Sequence, residues 1–269
     1  MGGEHTAWII TVGNEVLIGR IVNTNAAWLG SKLTLLGYSV ERIITVPDRV
    51  DDISEEVGRA IARAGVVITT GGLGPTYDDL TLEGVAKAIG ARLVLDKAAY
   101  EMVKEFYSKR NMELTSDRIK MAYIPEGAKP IPNPVGAAPG VMLAYGGSMI
   151  FSLPGVPSEM KSMFERYVEP VLKERGPGVA VAECYAILKG VPESSLAPAI
   201  RSAAKRHPRV YLKSHPKGHE LEEPVIEVRA LASAASSEEA RSMARSSIEE
   251  VVEYAVREGG RVGEKGCSS

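Results

Sequence analysis

The stretch Thr69-Thr70-Gly71-Gly72-Leu73-Gly74-Pro75-Thr76-Tyr77-Asp78-Asp79-Leu80-Thr81 constrains this chain more than any other. Ahead of it lies Gly65-Val66-Val67-Ile68, short, apolar and β-branched, which reads as a strand buried on both faces. Behind it, residues 82–89 read as a helix. A strand, a glycine loop and a helix in that order belong to an open α/β sheet. Gly71, Gly72 and Gly74 lack a Cβ, so the backbone there can take positive φ and approach a ligand closely, and the helix that follows offers unpaired N–H groups to an anion. The loop reads as a phosphate seat. No Gly-Lys-Ser/Thr follows, which excludes a Walker loop, and the paired carboxylates do not suit a dinucleotide fingerprint. Asp78 and Asp79 beside phosphates call for a divalent cation between them. The alternative is that one of them only caps the helix.

The rest of the amino-terminal part repeats the same grammar. Residues 7–13 form a second buried strand ending in Gly13-Asn14-Glu15, which places Glu15 at a carboxyl strand end, where open α/β sheets bind ligands. Ala26, Leu29, Leu33 and Leu36 follow a helical period closed by Gly37, with Asn23, Thr24 or Asn25 available as the cap. A strand over 38–46 ends at Pro47-Asp48, and a helix over 51–64 returns to the glycine-loop strand, giving βαβαβ. A brief strand over 92–95 and helices over 98–110 and 116–122 come next. Residues 131–140 carry too much proline and glycine for regular structure. Residues 141–145 and 149–153 flank Gly146-Gly147 as a hairpin. Met160, Met163, Phe164, Tyr167, Val168 and Val171 repeat at helical spacing and read as core packing.

Gly176-Pro177-Gly178 marks a linker. Strands over 182–188, 209–213 and 225–231, with helices over 193–205 and 237–258, make a small α+β module of order βαββα. The expected domains are therefore 1–174, a three-layer, mainly parallel α/β domain, and 179–260, the smaller α+β domain, with 261–269 a flexible tail.

Composition sets bounds. A chain of 269 residues with 45% hydrophobic and 25% charged residues is globular and long enough for two domains. A formal net charge of -2 gives no general attraction to nucleic acid or anionic membrane. Cys184 and Cys267 do not suggest a disulfide framework or a thiolate metal site, so a reducing cytoplasm is expected. No basic residues precede a start-proximal apolar run, and no stretch reaches membrane-spanning length. His215 and His219 share a polar loop but lack an acidic or thiolate partner at a fitting spacing. Lys213 is either a phosphate ligand or a solvated strand end.

Four motifs in order resemble the amino-terminal region of the CinA family: Gly13-Asn14-Glu15-Val16-Leu17-Ile18-Gly19 with Asn23-Thr24-Asn25, the 70–81 loop, Asn133-Pro134-Val135-Gly136 with Ala138-Pro139-Gly140, and Leu153-Pro154-Gly155-Val156-Pro157-Ser158-Glu159-Met160. The first domain also resembles the MoaB and MogA molybdopterin-binding domain, and Gly190 to Ser195 with Tyr211-Leu212-Lys213 resemble the CinA middle domain. The resemblance implies metal-dependent hydrolysis of ADP-ribose to AMP and ribose 5-phosphate, in a homodimer. The deamidase domain of full-length CinA proteins has no counterpart in these residues, so deamidation of nicotinamide mononucleotide is not expected.

Joined to the residue chemistry, the resemblance assigns roles. Asp78 and Asp79 hold the cation and, with Glu15 and Asp48, make up the catalytic set; Glu15 and Asp48 are candidates for a second ligand or general base. Thr70, Gly71, Gly72, Gly74, Thr76, Thr81, Asn25, Gly136, Ala137, Pro154 and Gly155 bind substrate. The rival readings are adenylyl transfer to molybdopterin and a nucleotide-binding regulatory module without turnover.

Overall fold

Every residue of the strand Val66–Thr70 is buried, because it lies inside a sheet and is paired in parallel on both edges. The computed structural model describes residues 3–217 and 223–268. They divide into two compact units, one over residues up to 34 and 38–176, the other over 35–37 and from 177 onward.

The first unit begins with β1 (Thr6–Val12), α1 (Asn14–Leu17), α2 (Thr24–Leu35), β2 (Ser39–Val46), α3 (Val50–Ile61), β3 (Val66–Thr70) and α4 (Thr81–Ile89). It continues through β4 (Leu93–Leu95), α5 (Lys97–Ser108), α6 (Ser116–Lys120), β5 (Tyr123–Pro125), β6 (Lys129–Ile131), β7 (Gly140–Tyr145), β8 (Ser148–Leu153), α7 (Pro157–Met163) and α8 (Glu169–Arg175). The main sheet has the order β2-β1-β3-β8-β7-β6. Its first four strands are parallel, and β7 and β6 add on antiparallel as the expected hairpin and one further strand.

Alternation along β1 sends successive side chains to opposite faces. Trp8, Ile10 and Val12 join Ile53, Val57 and Ala60 of α3 and Val85 and Ile89 of α4 in one core. The other face carries Ile9, buried beneath α2, where Gly30 lies against the Ile9 and Ile43 side chains. This is the expected three-layer arrangement. Beneath α5 and α6 lies a satellite core of Ala99, Val103, Tyr107, Met121 and Ile124, reached by the two-stranded sheet of β4 and β5. Sequence reading missed β5 and β6 because three-residue strands carry no measurable period.

Between α7 and α8 the helix widens into one π turn over Phe164–Val168. Pro170 has no N–H to give to residue 166, and its ring crowds that carbonyl, so the backbone opens there. The methionine and aromatic stripe is core as expected: Met160, Met163, Phe164 and Val168 are fully buried, and Phe164 meets Trp28 edge to face at 5.3 Å.

The second unit consists of β9 (Ala180–Lys189), α9 (Glu193–Arg206), β10 (Val210–Pro216), β11 (Val225–Ala234), α10 (Ser237–Arg257) and β12 (Arg261–Ser268). The element order is βαββαβ, and the antiparallel sheet runs β10-β11-β9-β12, a ferredoxin-like arrangement. Leu188, Val228, Leu196, Ile248 and Val251 share its core, with helices on one face of the sheet.

Two expectations about this unit are corrected here. Residues 261–268 are not a flexible tail but a strand paired to β9. It holds few apolar residues and no alternation, so ladder hydrogen bonds rather than side-chain burial define it. The cysteines also pair: Cys184 and Cys267 stand opposite each other in the β9–β12 register and form a disulfide. Their separation of 83 residues hid a neighbour relation that only the last strand creates. This removes the cysteine-based ground for a reducing compartment. Among the described residues, no helix is long and apolar enough to cross a membrane.

Reduction of this bond, or Cys267→Ser, opens a cross-link spanning 83 residues and is expected to cost the second unit about 2–4 kcal/mol. Melting with and without reductant measures it: the wild type melts earlier when reduced, and Cys267→Ser does not respond to the reductant.

Candidate active site

The carboxyl ends of β1, β2, β3 and β8 open onto one cavity of about 630 Å³. It sits where the chain's winding reverses: α2 leaves β1 toward one face of the sheet, and α3 returns to β3 over the other. Ligands of open α/β sheets bind at such switch points.

The glycine loop forms the floor. Gly71 and Gly72 have φ of 103° and 63°, and a Cβ on Gly71 would stand 2.2 Å from the Val12 carbonyl oxygen. Gly71 N–H donates to the Leu153 carbonyl at 3.0 Å, and Thr81 Oγ1 donates to the Gly71 carbonyl at 2.7 Å. Beyond that anchor, the N–H groups of Gly72, Leu73 and Gly74 have no hydrogen-bond partner among the described residues. Three successive free N–H groups form a concavity suited to an anion. Gly74 does not have positive φ; its missing Cβ leaves space for the Asp79 carboxylate, which a methyl would meet at 2.6 Å.

Asp79 Oδ2 accepts from Thr76 N–H at 2.8 Å and so closes the loop on itself. Neither aspartate caps α4, whose N-cap is Leu80 without a side-chain hydrogen bond. The start of α4 also does not face the cavity, so the anion seat is the loop alone. Lys120, which sequence reading passed over, donates to the carbonyls of Thr76 and Asp79 at 3.0 and 2.6 Å and pins the loop from behind.

Thr76 Oγ1 lies 2.5 Å from Asp78 Oδ1 and 2.6 Å from Asp79 Oδ2. A hydroxyl carries one proton and can donate to only one of them at a time. The two carboxylate oxygens thus converge on one hydroxyl that cannot serve both, an arrangement that suits a hard cation. Among the described residues, no group of three or more His, Cys, Asp or Glu forms a metal cage. A cation here would draw its remaining oxygens from water and from the ligand's phosphates, as magnesium-type sites do.

Hydrogen bonds from Thr76 and from its own backbone hold the Asp78 carboxyl below its ordinary range. Asp48 moves the other way. Burial raises it most, Glu15, Asp78 and Asp79 raise it further, and the 2.8 Å bond from Asn14 N–H opposes them. Glu15, Asp48, Asp78 and Asp79 therefore act as one acidic edge, and all four line the cavity.

Of the expected binding residues, Asn25, Thr70, Gly71, Gly72, Gly74, Thr76, Ala137, Pro154 and Gly155 line the cavity, whereas Thr81 and Gly136 do not. Thr81 is buried behind the loop, and a Cβ on Gly136 would collide with the Glu159 carboxylate. Asn133 explains the 133–140 loop: its Oδ1 accepts from Val135 and Gly136 N–H, and its Nδ2 donates to Ala138 O and to Glu159 Oε2. Thr11, Asn23, Tyr107 and Met121 also reach the cavity. Asn23 caps α2 through the 3.1 Å bond from Ala26 N–H. Sequence reading names neither Tyr107 nor Met121 and only places them inside helices. Elsewhere, Lys213 and His215 lie exposed on β10, and His219 lies outside the described residues.

The raised Asp48 gives a pH test. A carboxyl that holds its proton more tightly in the folded state contributes most stability below its ordinary value of 3.8, and that contribution is lost as pH rises through the folded value. Asp48→Asn keeps an acceptor for Asn14 N–H and removes the charge. The variant should melt above wild type at about pH 7, with the difference vanishing near about pH 3.5.

Comparison with known proteins agrees with this geometry. Residues 8–174 match the family described as Probable molybdopterin binding domain. A protein of Aeropyrum pernix is 60% identical over 97% of this chain and 98% of its own length, and one of Pyrobaculum calidifontis is 52% identical over 92% and 95%. The crystal structure of the protein CinA with unknown function from Thermoplasma acidophilum is 46% identical, covers 62% of this chain and 98% of its own, and superposes with a TM-score of 0.59. The chain belongs to the molybdopterin-binding domain family, with the MoaB/MogA-type sheet and a second antiparallel domain.

Proposed function

We propose that the cavity binds a phosphorylated ligand of the molybdopterin or nucleotide class and breaks a phosphoanhydride bond there with the help of a divalent cation. The observation that carries this reading is that the N–H groups of Gly72, Leu73 and Gly74, without a hydrogen-bond partner among the described residues, belong to a loop that lines the same cavity as the acidic edge. The N–H groups hold phosphate oxygens. Asp78 and Asp79 supply the two protein oxygens for the cation, which when bound neutralises charge on the departing phosphate. Asp48, with its raised proton affinity and its place in the cavity, accepts the proton of the attacking group.

Two finer readings follow from different supports. The family match over 8–174 favours a molybdopterin ligand, with adenylyl transfer from ATP to its phosphate. The resemblance of the sequence motifs to the CinA family implies hydrolysis of ADP-ribose to AMP and ribose 5-phosphate. The family match spans the whole cavity, so the molybdopterin reading stands first. The homodimer is part of the same proposal and is tested by light scattering. Incubating the full chain with magnesium and either molybdopterin plus ATP or ADP-ribose separates the two readings: transfer gives adenylylated molybdopterin and pyrophosphate, hydrolysis gives AMP and ribose 5-phosphate, and neither set of products, together with tight binding, would leave a module without turnover.

Asp79→Asn keeps the acceptor for Thr76 N–H while removing the charge. Turnover of whichever substrate is accepted should fall about a hundredfold or more, roughly 2.7 kcal/mol, with little change in melting temperature. Asp78→Asn should do less, because Asp79 stands at the position shared by the CinA and MoaB/MogA motifs, whereas Asp78 matches the CinA motif alone. Full activity of both variants would remove the cation from the mechanism.

A further inference from the structure

Asn25 is 7% exposed and lines the cavity from the first turn of α2. Its Nδ2 donates to Thr70 Oγ1 at 3.0 Å and to the Gly155 carbonyl at 2.8 Å. The Thr70 hydroxyl spends its single proton on the Pro154 carbonyl at 2.9 Å, so toward Asn25 it can only accept. Both contacts thus require the amide nitrogen on that side. A flipped amide would set Oδ1 against the Gly155 oxygen, acceptor against acceptor. Asn25 Oδ1 is fixed on the other side, buried and without a hydrogen-bond partner.

We propose that Asn25 determines specificity by accepting a hydrogen bond, through its carbonyl oxygen, from a ribose hydroxyl of a nucleoside 5′-phosphate seated in the glycine loop. This rests on the nucleotide reading of the cavity. A phosphate or carboxylate offers no donor and cannot satisfy this oxygen; a hydroxyl or amino group can. Position selects the sugar. Thr70 and Gly155 flank Gly71, directly before the free N–H groups, and one ester bond from a phosphate held there leads to the ribose. An acceptor built for a donor penalises a ligand that lacks it, because the buried oxygen then stays unpaired.

AMP is the fragment that both finer readings share, so it is the probe. Calorimetry on the full chain with magnesium compares AMP, 2′-deoxy-AMP, 3′-deoxy-AMP and purine riboside 5′-monophosphate, which lacks the base amine. One deoxy analogue should bind wild type about tenfold or more weakly than AMP. That gap should close in Asn25→Leu, and should narrow in Thr70→Val, which removes the hydroxyl that orients the amide. Equal binding of all four by wild type overturns this inference and leaves the nucleotide reading intact. A loss confined to the purine riboside analogue overturns the ribose assignment in favour of the base amine. Binding of none of the four removes the nucleotide reading and this inference together. Equal binding by wild type overturns the inference even where a variant does not fold, and a gap that persists in folded Asn25→Leu overturns the assignment to Asn25.

Discussion

The cavity depends on how closely residue 71 can pass the end of the first strand. Gly71 lies where a methyl group would meet the Val12 carbonyl at 2.2 Å, and its own N–H and C=O are held by Leu153 and Thr81. Beyond that tight crossing the next three N–H groups have no partner among the described residues, and the chain turns so that Asp78 and Asp79 return beside Thr76. Moving the crossing away by a few tenths of an ångström would disturb the ladder on both edges of β3.

The same arrangement gathers negative charge. Four carboxylates on one edge repel each other, and the mutual repulsion registers at Asp48, which burial already raises. Lys120 offsets part of this from behind the loop while its amine is committed to two carbonyls and, at 3.6 Å, to Glu83. The site is thus less stable empty than its packing alone would make it, a common property of sites built to hold a charged ligand.

Much of the first unit was legible in the sequence because buried parallel strands and amphipathic helices write their periods plainly, as in 65–68 and the Met160 to Val171 stripe. The glycine loop and the strand-end position of Glu15 were legible because turn chemistry is local. What escaped depended on distant partners. Lys120 is forty-one residues from the carbonyl of Asp79 that it holds. Thr81 looked like a binding residue because it ends the motif, yet its hydroxyl is used on Gly71. Residues 261–268 looked frayed because a strand secured by backbone pairing and a cross-strand bond needs no alternation. The orphan oxygen of Asn25 is a property of three residues that meet only in the fold.

The disulfide also changes the topology of the second unit. With Cys184 joined to Cys267, the segment between them is a closed covalent ring. Tension applied at the carboxyl end passes through sulfur into β9, so residues 185–266, most of β12 among them, carry none of the load and cannot be unzipped from that end. A single chain break within the ring leaves one molecule of unchanged mass apart from the added water. Only simultaneous cleavage and reduction separates the pieces.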